Sequence, residues 1–389
     1  MKRSKTVSRR EFVKAGITAA GALYLGCPDV LAASESAAGA VITGKSGGEF
    51  TPYEAMFYKK LEDARVECQL CPRECKIADL ERGYCGVREN RGGTYYTLVH
   101  SRACALHVDP IEKKPFFHYL PGTPAVSVAT AGCNVECKFC QNWQISQFRP
   151  EQVNSMKLTP SDIVEHAKRS HSPTIAYTYT EPVVFYEFMY DTARAARQEG
   201  ITSVVVSNGY IKEEPLVELC KHLDAVKIDL KAFTEEFYKD TCSGSLKPVL
   251  ETLVTLKKLG MWFEIVVLIV PTLNDSEKEL KEMCTWVCGE LGPDVPIHFS
   301  RFHPTYKITN LPPTPVRTLE MARRIAQEAG LNFAYVGNVP GHEGEHTYCP
   351  GCKEMVIKRV GYTIVKNTIL NGKCQNCEHP IAGVWDLKV

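Results

Sequence analysis

From residue 124 to residue 336 the chain repeats one alternation: a short β-branched run, a polar turn, then a stretch whose apolar positions recur with helical period. The runs predict strands over 125–129, 174–178, 202–207, 225–230, 263–270, 297–302 and 333–336. The periodic stretches predict helices over 183–198, 215–222, 248–259, 276–289 and 318–329. The dipeptides EG, LG and AG before several strands are glycine stops. Strand and helix in turn are the signature of parallel β/α units. Right-handed crossovers curl such a sheet, so the predicted fold is α/β, a partial or full parallel (β/α) barrel over 119–342.

The flanks break this pattern. Residues 51–118 read as a small Cys-rich N-terminal segment, and 343–389 as a C-terminal zinc-ribbon-like module. At the front, SRREFVK at 8–14 leads into an apolar, Gly/Ala-rich run over 15–26 that is too short to span a bilayer comfortably. It resembles a twin-arginine export signal, whose translocon moves proteins already folded around their cofactors. Residues 1–33 are therefore expected to be a signal segment and 34–50 a small, polar linker. Cys27 hints at lipid attachment, but Tyr24 and Leu25 fit a lipobox poorly, and cleavage near Ala32 or Ala33 is simpler. The longest later apolar run is 265–270, so no transmembrane anchor is expected beyond the signal.

Composition changes the picture in two ways. Lys plus Arg (46) nearly equals Asp plus Glu (45), which removes any reason to expect nucleic acid or an anionic membrane as the main partner. The 17 cysteines fall mostly in groups with metal-ligand spacing, unlike the scattered thiols of a small disulfide scaffold, and predict a metalloprotein.

Functional groups of such a barrel collect on loops at the C-terminal ends of strands, and the unusual residues fall there. Cys133, Cys137 and Cys140 follow the first strand, in TAGCNVECKFCQNW. Glu181 in YTYTEP follows the second, Ser207 and Asn208 of SNG the third, and Asp229 and Lys231 end the fourth. VPTLND at 270–275 closes the fifth, and FHPTYK at 302–307, with His303, the sixth. Four close thiols would complete a metal site. Three leave it open.

The spacing C-x3-C-x-aromatic-C in the first loop of a β/α barrel resembles the signature of radical S-adenosylmethionine (SAM) enzymes. Thiolates favour iron–sulfur clusters, and one loop can ligate three irons of a [4Fe–4S] cube. The resemblance implies that SAM chelates the fourth iron, that one electron cleaves its sulfonium, and that a 5′-deoxyadenosyl radical abstracts hydrogen from substrate. It further implies Phe139 in the aromatic place, Trp143 against the adenine, and Glu181 as the acidic end of a GGE-like motif receiving the SAM ammonium. Tyr179 and Thr180 stand where that motif has two glycines. Ser207 and Asn208 resemble a ribose-contacting loop, although SNG is equally a good turn. His303 is a candidate for the sulfonium side. KIDLKAF and CQNW resemble the pyruvate formate-lyase activating enzymes, in which Asp229 and Lys231 would be the catalytic Asp-x-Lys pair.

Two further cysteine groups flank the barrel. CPGC and CQNC predict a tetrahedral zinc ribbon at Cys349, Cys352, Cys374 and Cys377, with rubredoxin-like iron as the runner-up. Cys68, Cys71, Cys75 and Cys85 have C-x2-C-x3-C-x9-C spacing and suit zinc or a second iron–sulfur cluster; Gly83 and Gly86 beside Cys85 make a compact knuckle and favour zinc slightly. A leading cysteine block, a radical barrel and a trailing ribbon together resemble the radical enzymes of the AmmeMemoRadiSam system. That implies a low-potential electron donor and an unidentified substrate or partner proteins of the system. The alternative is an exported iron–sulfur and zinc protein that carries electrons or metal without cleaving SAM. Localisation is expected to be export through the leader, or the cytoplasm if the leader is unused.

Overall fold

The computed structural model describes residues 51–387. The predicted signal segment and linker lie outside the described residues. An eight-stranded sheet organises the rest: β1 (Ala105–Pro110), β2 (Pro124–Ala129), β3 (Thr174–Tyr177), β4 (Thr202–Ser207), β5 (Ala225–Asp229), β6 (Trp262–Ile269), β7 (Ile297–Arg301) and β8 (Ala334–Gly337). The strands lie side by side in chain order. From β2 to β8 they are parallel, and β1 runs antiparallel along β2 from Ala105↔Ala129 to Pro110↔Pro124. β1 and β8 do not pair with each other, so the sheet is a partial barrel.

Helices α1 (Pro160–Arg169), α2 (Tyr186–Gln198), α3 (Glu213–Cys220), α4 (Glu235–Cys242), α5 (Leu246–Lys258), α6 (Glu277–Trp286) and α7 (Val316–Glu328) occupy the connections. All seven expected strands form, within a residue or two of their predicted ends. Three elements lacked a clear pattern. α1 presents only Ile163, Val164 and Ala167 to the core and is defined by a capping box, in which Thr159 accepts from the Asp162 N–H and Asp162 bonds back to Thr159. α4 has eight residues. β1 carries Asp109 and Pro110, which suit a sheet edge and hide the strand signal.

Register decides what faces what, because cross-strand partners share a face. Val126, Ile175, Val205, Val226 and Ile265 pack with the helix residues Ile163, Met189, Leu253 and Ile325 in the main core. Ala125, Ala176, Val204 and Ala225 point the other way, onto Phe116 and Trp262. Further along this inner face, Lys227 pairs with Val206 and Glu264, and Asp229 with Val266. The inside of the barrel thus turns from small apolar residues to charged ones toward the rim.

Two small modules flank the barrel. In front, Tyr58–Lys60, Val66–Cys68 and Lys76–Ile77 form one antiparallel sheet, and Tyr53–Glu54, Thr94–Thr97 and Arg88–Arg91 another. Behind, Thr347–Tyr348, Met355–Val360 and Thr363–Asn367 form a third, beside a hairpin of Ile369–Leu370 with Lys373–Cys374. This last module packs on Phe117, Phe333 and Tyr335, and buried Arg359 donates to the Phe117 carbonyl at 2.8 Å. No helix among the described residues is long and apolar enough to cross a membrane.

Candidate functional site

The cysteine loop leaves β2 through Gly132, whose φ is +100°. A Cβ there would meet Val87 Cγ1 at 2.5 Å and the Cys85 carbonyl at 3.1 Å, so both the conformation and the close approach of the front module require glycine. The loop is held on several sides. Glu136 N donates to the Cys242 carbonyl and Lys138 N to the Thr241 carbonyl, each at 2.9 Å, which ties it to the end of α4. Lys307 N donates to the Lys138 carbonyl at 2.9 Å, and Asn134 Nδ2 to the Tyr210 carbonyl at 2.7 Å. Cys137 is buried, and Cys133 and Cys140 are half-buried, with Cys140 Sγ 3.2 Å from Ser146 Oγ. The Cys242 thiol and the Lys231 ammonium hold the Cys137 thiol below its ordinary range against the opposing effect of burial, and a thiolate is the form iron binds. Three soft ligands on one braced loop therefore fit a [4Fe–4S] cluster.

The second and third loops converge on the first. Thr180 Oγ1 donates to the Thr130 carbonyl at 2.7 Å. Glu181 is 2 % exposed. Its carboxylate accepts from Ser207 Oγ at 2.7 Å, Asn208 N at 2.8 Å and Val183 N at 3.1 Å. All three donors are neutral. Burial pushes this carboxyl up to about 7 against these bonds and the more distant Lys231 ammonium, and no cation among the described residues forms an ion pair with it. Asn208 spans the gap to the cysteines, with Nδ2 2.9 Å from Asn134 Oδ1 and 3.9 Å from Cys133 Sγ. A buried acid beside the cysteine loop, with no cation in contact, fits the ammonium of SAM.

Asp229 lies between two lysines. Lys227 donates to one carboxylate oxygen and Lys231 to the other, the latter at 3.3 Å. Burial raises the Asp229 carboxyl, but the two ammonium groups outweigh it and hold the group at about 2. The side chains of Lys227 and Lys231 are 5 % and 13 % exposed and that of Asp229 is 32 %, so the two cations are enclosed and the carboxylate between them is partly open. Asn274, in the fifth loop, fixes the segment by donating to the Lys231 carbonyl at 2.7 Å.

Residues 127–287 match the model of the radical SAM superfamily. The chain belongs to the radical SAM superfamily. It is 50% identical over 330 residues to the uncharacterized protein MJ0808 of Methanocaldococcus jannaschii, covering 84% of this chain and 98% of that protein. Pyruvate formate-lyase 1-activating enzyme of Escherichia coli K12 is 23% identical over 219 residues, which cover 51% of this chain and 87% of the enzyme. Among solved structures, a radical SAM methyltransferase from Sphaerobacter thermophilus overlaps 58% of this chain and 71% of its own, at a TM-score of 0.45 and 16% identity.

The remaining candidate residues of this radical SAM enzyme have varied surroundings. Phe139 is 5 % exposed and packs against Phe237, so its ring belongs to the core beneath the loop. Trp143 stacks on Tyr306, with ring centroids 5.2 Å apart. His303 is exposed. Tyr179, in the place of a glycine, adopts a φ of +66° all the same; its hydroxyl donates to Asp109, and its carbonyl accepts from Asn142 Nδ2 at 2.8 Å. Sequence reasoning missed Lys227 and Cys242. A lysine in the middle of an apolar parallel strand was a usable signal for the first. Nothing local marked Cys242, which reaches Cys137 only through the packing of α4.

The ribbon cysteines form a different kind of site. Cys349 and Cys377 sulfurs are 3.6 Å apart, Cys352 and Cys374 3.7 Å, and all four lie within 4.8 Å of one another. A tetrahedron with Zn–S bonds of about 2.3 Å has edges of about 3.8 Å. The group fits one zinc ion.

Proposed function

We propose that the protein cleaves SAM reductively and that the resulting 5′-deoxyadenosyl radical abstracts hydrogen from a protein or small-molecule substrate. The observation that carries this reading is Asn208, which joins Glu181 to the Cys133 loop and so unites an ammonium site with a cluster site. In it, Cys133, Cys137 and Cys140 hold the [4Fe–4S] cluster, Glu181 takes the SAM ammonium, and Asp229 and Lys231 face the reacting groups. A protein that only carried electrons or metal would have no use for a buried acid at that place. Likeness to the activating enzymes supports a radical-installing or radical-modifying reaction, and the cysteine block, barrel and ribbon together support a place in the AmmeMemoRadiSam system. The test is an anaerobic assay for 5′-deoxyadenosine after cluster reconstitution and reduction. Clusters without product would sink the proposal.

Glu181 gives the proposal a pH dependence. With its carboxyl at about 7, the acid is neutral below that pH and charged above it, so SAM affinity should rise through pH 7 and level off. Glu181→Gln should bind roughly tenfold to a hundredfold more weakly at pH 8, the worth of a charged hydrogen bond, and show no such rise. The proton also links to folding. Because the folded state keeps it where the unfolded state has released it, this group's contribution to stability is lost as pH rises from about 4.5 to about 7. Anaerobic titration calorimetry at pH 6 and pH 8 reads the binding. Equal wild-type affinities would take Glu181 out of the ammonium site.

The leader is proposed to direct export. Fusing residues 1–45 to a reporter should give twin-arginine-dependent translocation, and a reporter that stays in the cytoplasm would return the enzyme there.

A further inference from the structure

We propose that Cys68, Cys71, Cys75 and Cys85 hold a second iron–sulfur cluster, fully ligated by protein and set against the loop of the first. The front hairpin brings three of these thiols together: Val66↔Ile77 and Glu67↔Lys76 pair across it, and Cys68 N donates to the Cys75 carbonyl at 2.9 Å. The fourth arrives on a turn in which Gly86, at φ +72°, donates to the Gly83 carbonyl at 2.9 Å. Between them lies a small pocket lined by the four cysteines, Arg88 and Tyr95.

Sulfur spacing decides between a cluster and a zinc ion. A single ion draws four sulfurs to edges of about 3.8 Å, as in the ribbon. In a cubane each thiolate binds a different iron, so the sulfurs stand farther apart around a larger body. Among the described residues, the ribbon is the one group whose three or more Cys, His, Asp or Glu ligand atoms all lie within 4.8 Å of one another. The front block shares its wider spacing with Cys133, Cys137 and Cys140, the triad whose superfamily uses a cluster. Arg88 supplies a second sign. It is 1 % exposed, it lines the pocket, and its Nη1 has no hydrogen-bond partner among the described residues. A buried, unpartnered guanidinium N–H suits the sulfides and thiolates of an anionic cluster.

Position gives the cluster a use. Asn134, next to Cys133, lines the same pocket, and Arg73, between Cys71 and Cys75, donates to the Asn134 carbonyl at 2.6 Å. A separate cleft is lined by both Cys85 and Cys133. A low-potential one-electron donor would reduce the second cluster by one electron, and that cluster would return to its oxidised state on passing the electron to the first.

Full-length protein should be purified anaerobically and assayed for iron, zinc and acid-labile sulfide, alongside a variant with Cys133, Cys137 and Cys140 all changed to alanine. Wild type should hold roughly eight irons, eight sulfides and one zinc. The triple variant should keep roughly four irons and four sulfides with a paramagnetic signal on reduction, and Cys71→Ala in that background should remove them. Two zinc ions and about four irons in wild type, with no labile sulfide in the triple variant, would overturn the second cluster and leave the radical site intact.

Discussion

Cys137→Ala is expected to lower 5′-deoxyadenosine formation by more than about a hundredfold, since outer contacts of a metal site alone are worth ten- to a hundredfold and this residue is a ligand. Cys137 is the buried member of its triad, and the Lys231 ammonium and the Cys242 thiol both favour its thiolate. Without it, two irons of the cube lack protein ligands. The neighbouring thiol complicates the single variant, because Cys242 is close enough to interact with Cys137 and could take its place. The decisive protein is therefore Cys137→Ala with Cys242→Ala, and Cys242→Ala alone is the control for folding. Product at the wild-type rate from the double variant would show that the triad does not hold the reactive cluster.

Legibility in the sequence followed the strength of local signals. Seven barrel strands were readable because parallel strands buried on both faces are nearly continuous apolar runs between glycine stops. β1 was not, since an edge strand with Asp109 and Pro110 has no such run. The cysteine loop was readable from spacing alone, and the rim position of Glu181, Asn208 and Asp229 followed from their places at strand ends. What each side chain does there was not. Nothing local distinguishes Phe139, turned into the core, from a ring facing a ligand, or shows that Trp143 is already stacked on Tyr306. Lys227 joins Asp229 because alternate strand residues share a face. The proposal of a cluster in the front block rests on its thiols not gathering as closely as those of the ribbon, which cysteine spacing along the chain does not fix.

Glu187→Ala should destabilise the protein by about 3–5 kcal/mol, the cost of leaving one member of a buried ion pair without its partner. Arg88 Nη2 lies 2.5 Å from Glu187 Oε2, and both side chains are 1 % exposed. The pair joins the front module to α2, and Glu187 Oε1 also accepts from Met56 N at 2.7 Å, so the Arg88–Arg91 strand and the bend between Tyr53–Glu54 and Tyr58–Lys60 depend on one carboxylate. Exposed pairs such as Lys247–Glu251 are worth no more than about 1 kcal/mol, and Glu251→Ala is the matched control. Glu187→Gln keeps hydrogen-bonding atoms in place and removes only the charge, so its loss should be smaller. Urea unfolding of anaerobically purified protein reads all three, and limited proteolysis should find new cuts in the front module of Glu187→Ala before the barrel opens. A loss below about 1 kcal/mol, equal to that of the exposed control, would mean that water or another group replaces the carboxylate and that the block carrying Cys85 is held to the barrel by packing alone.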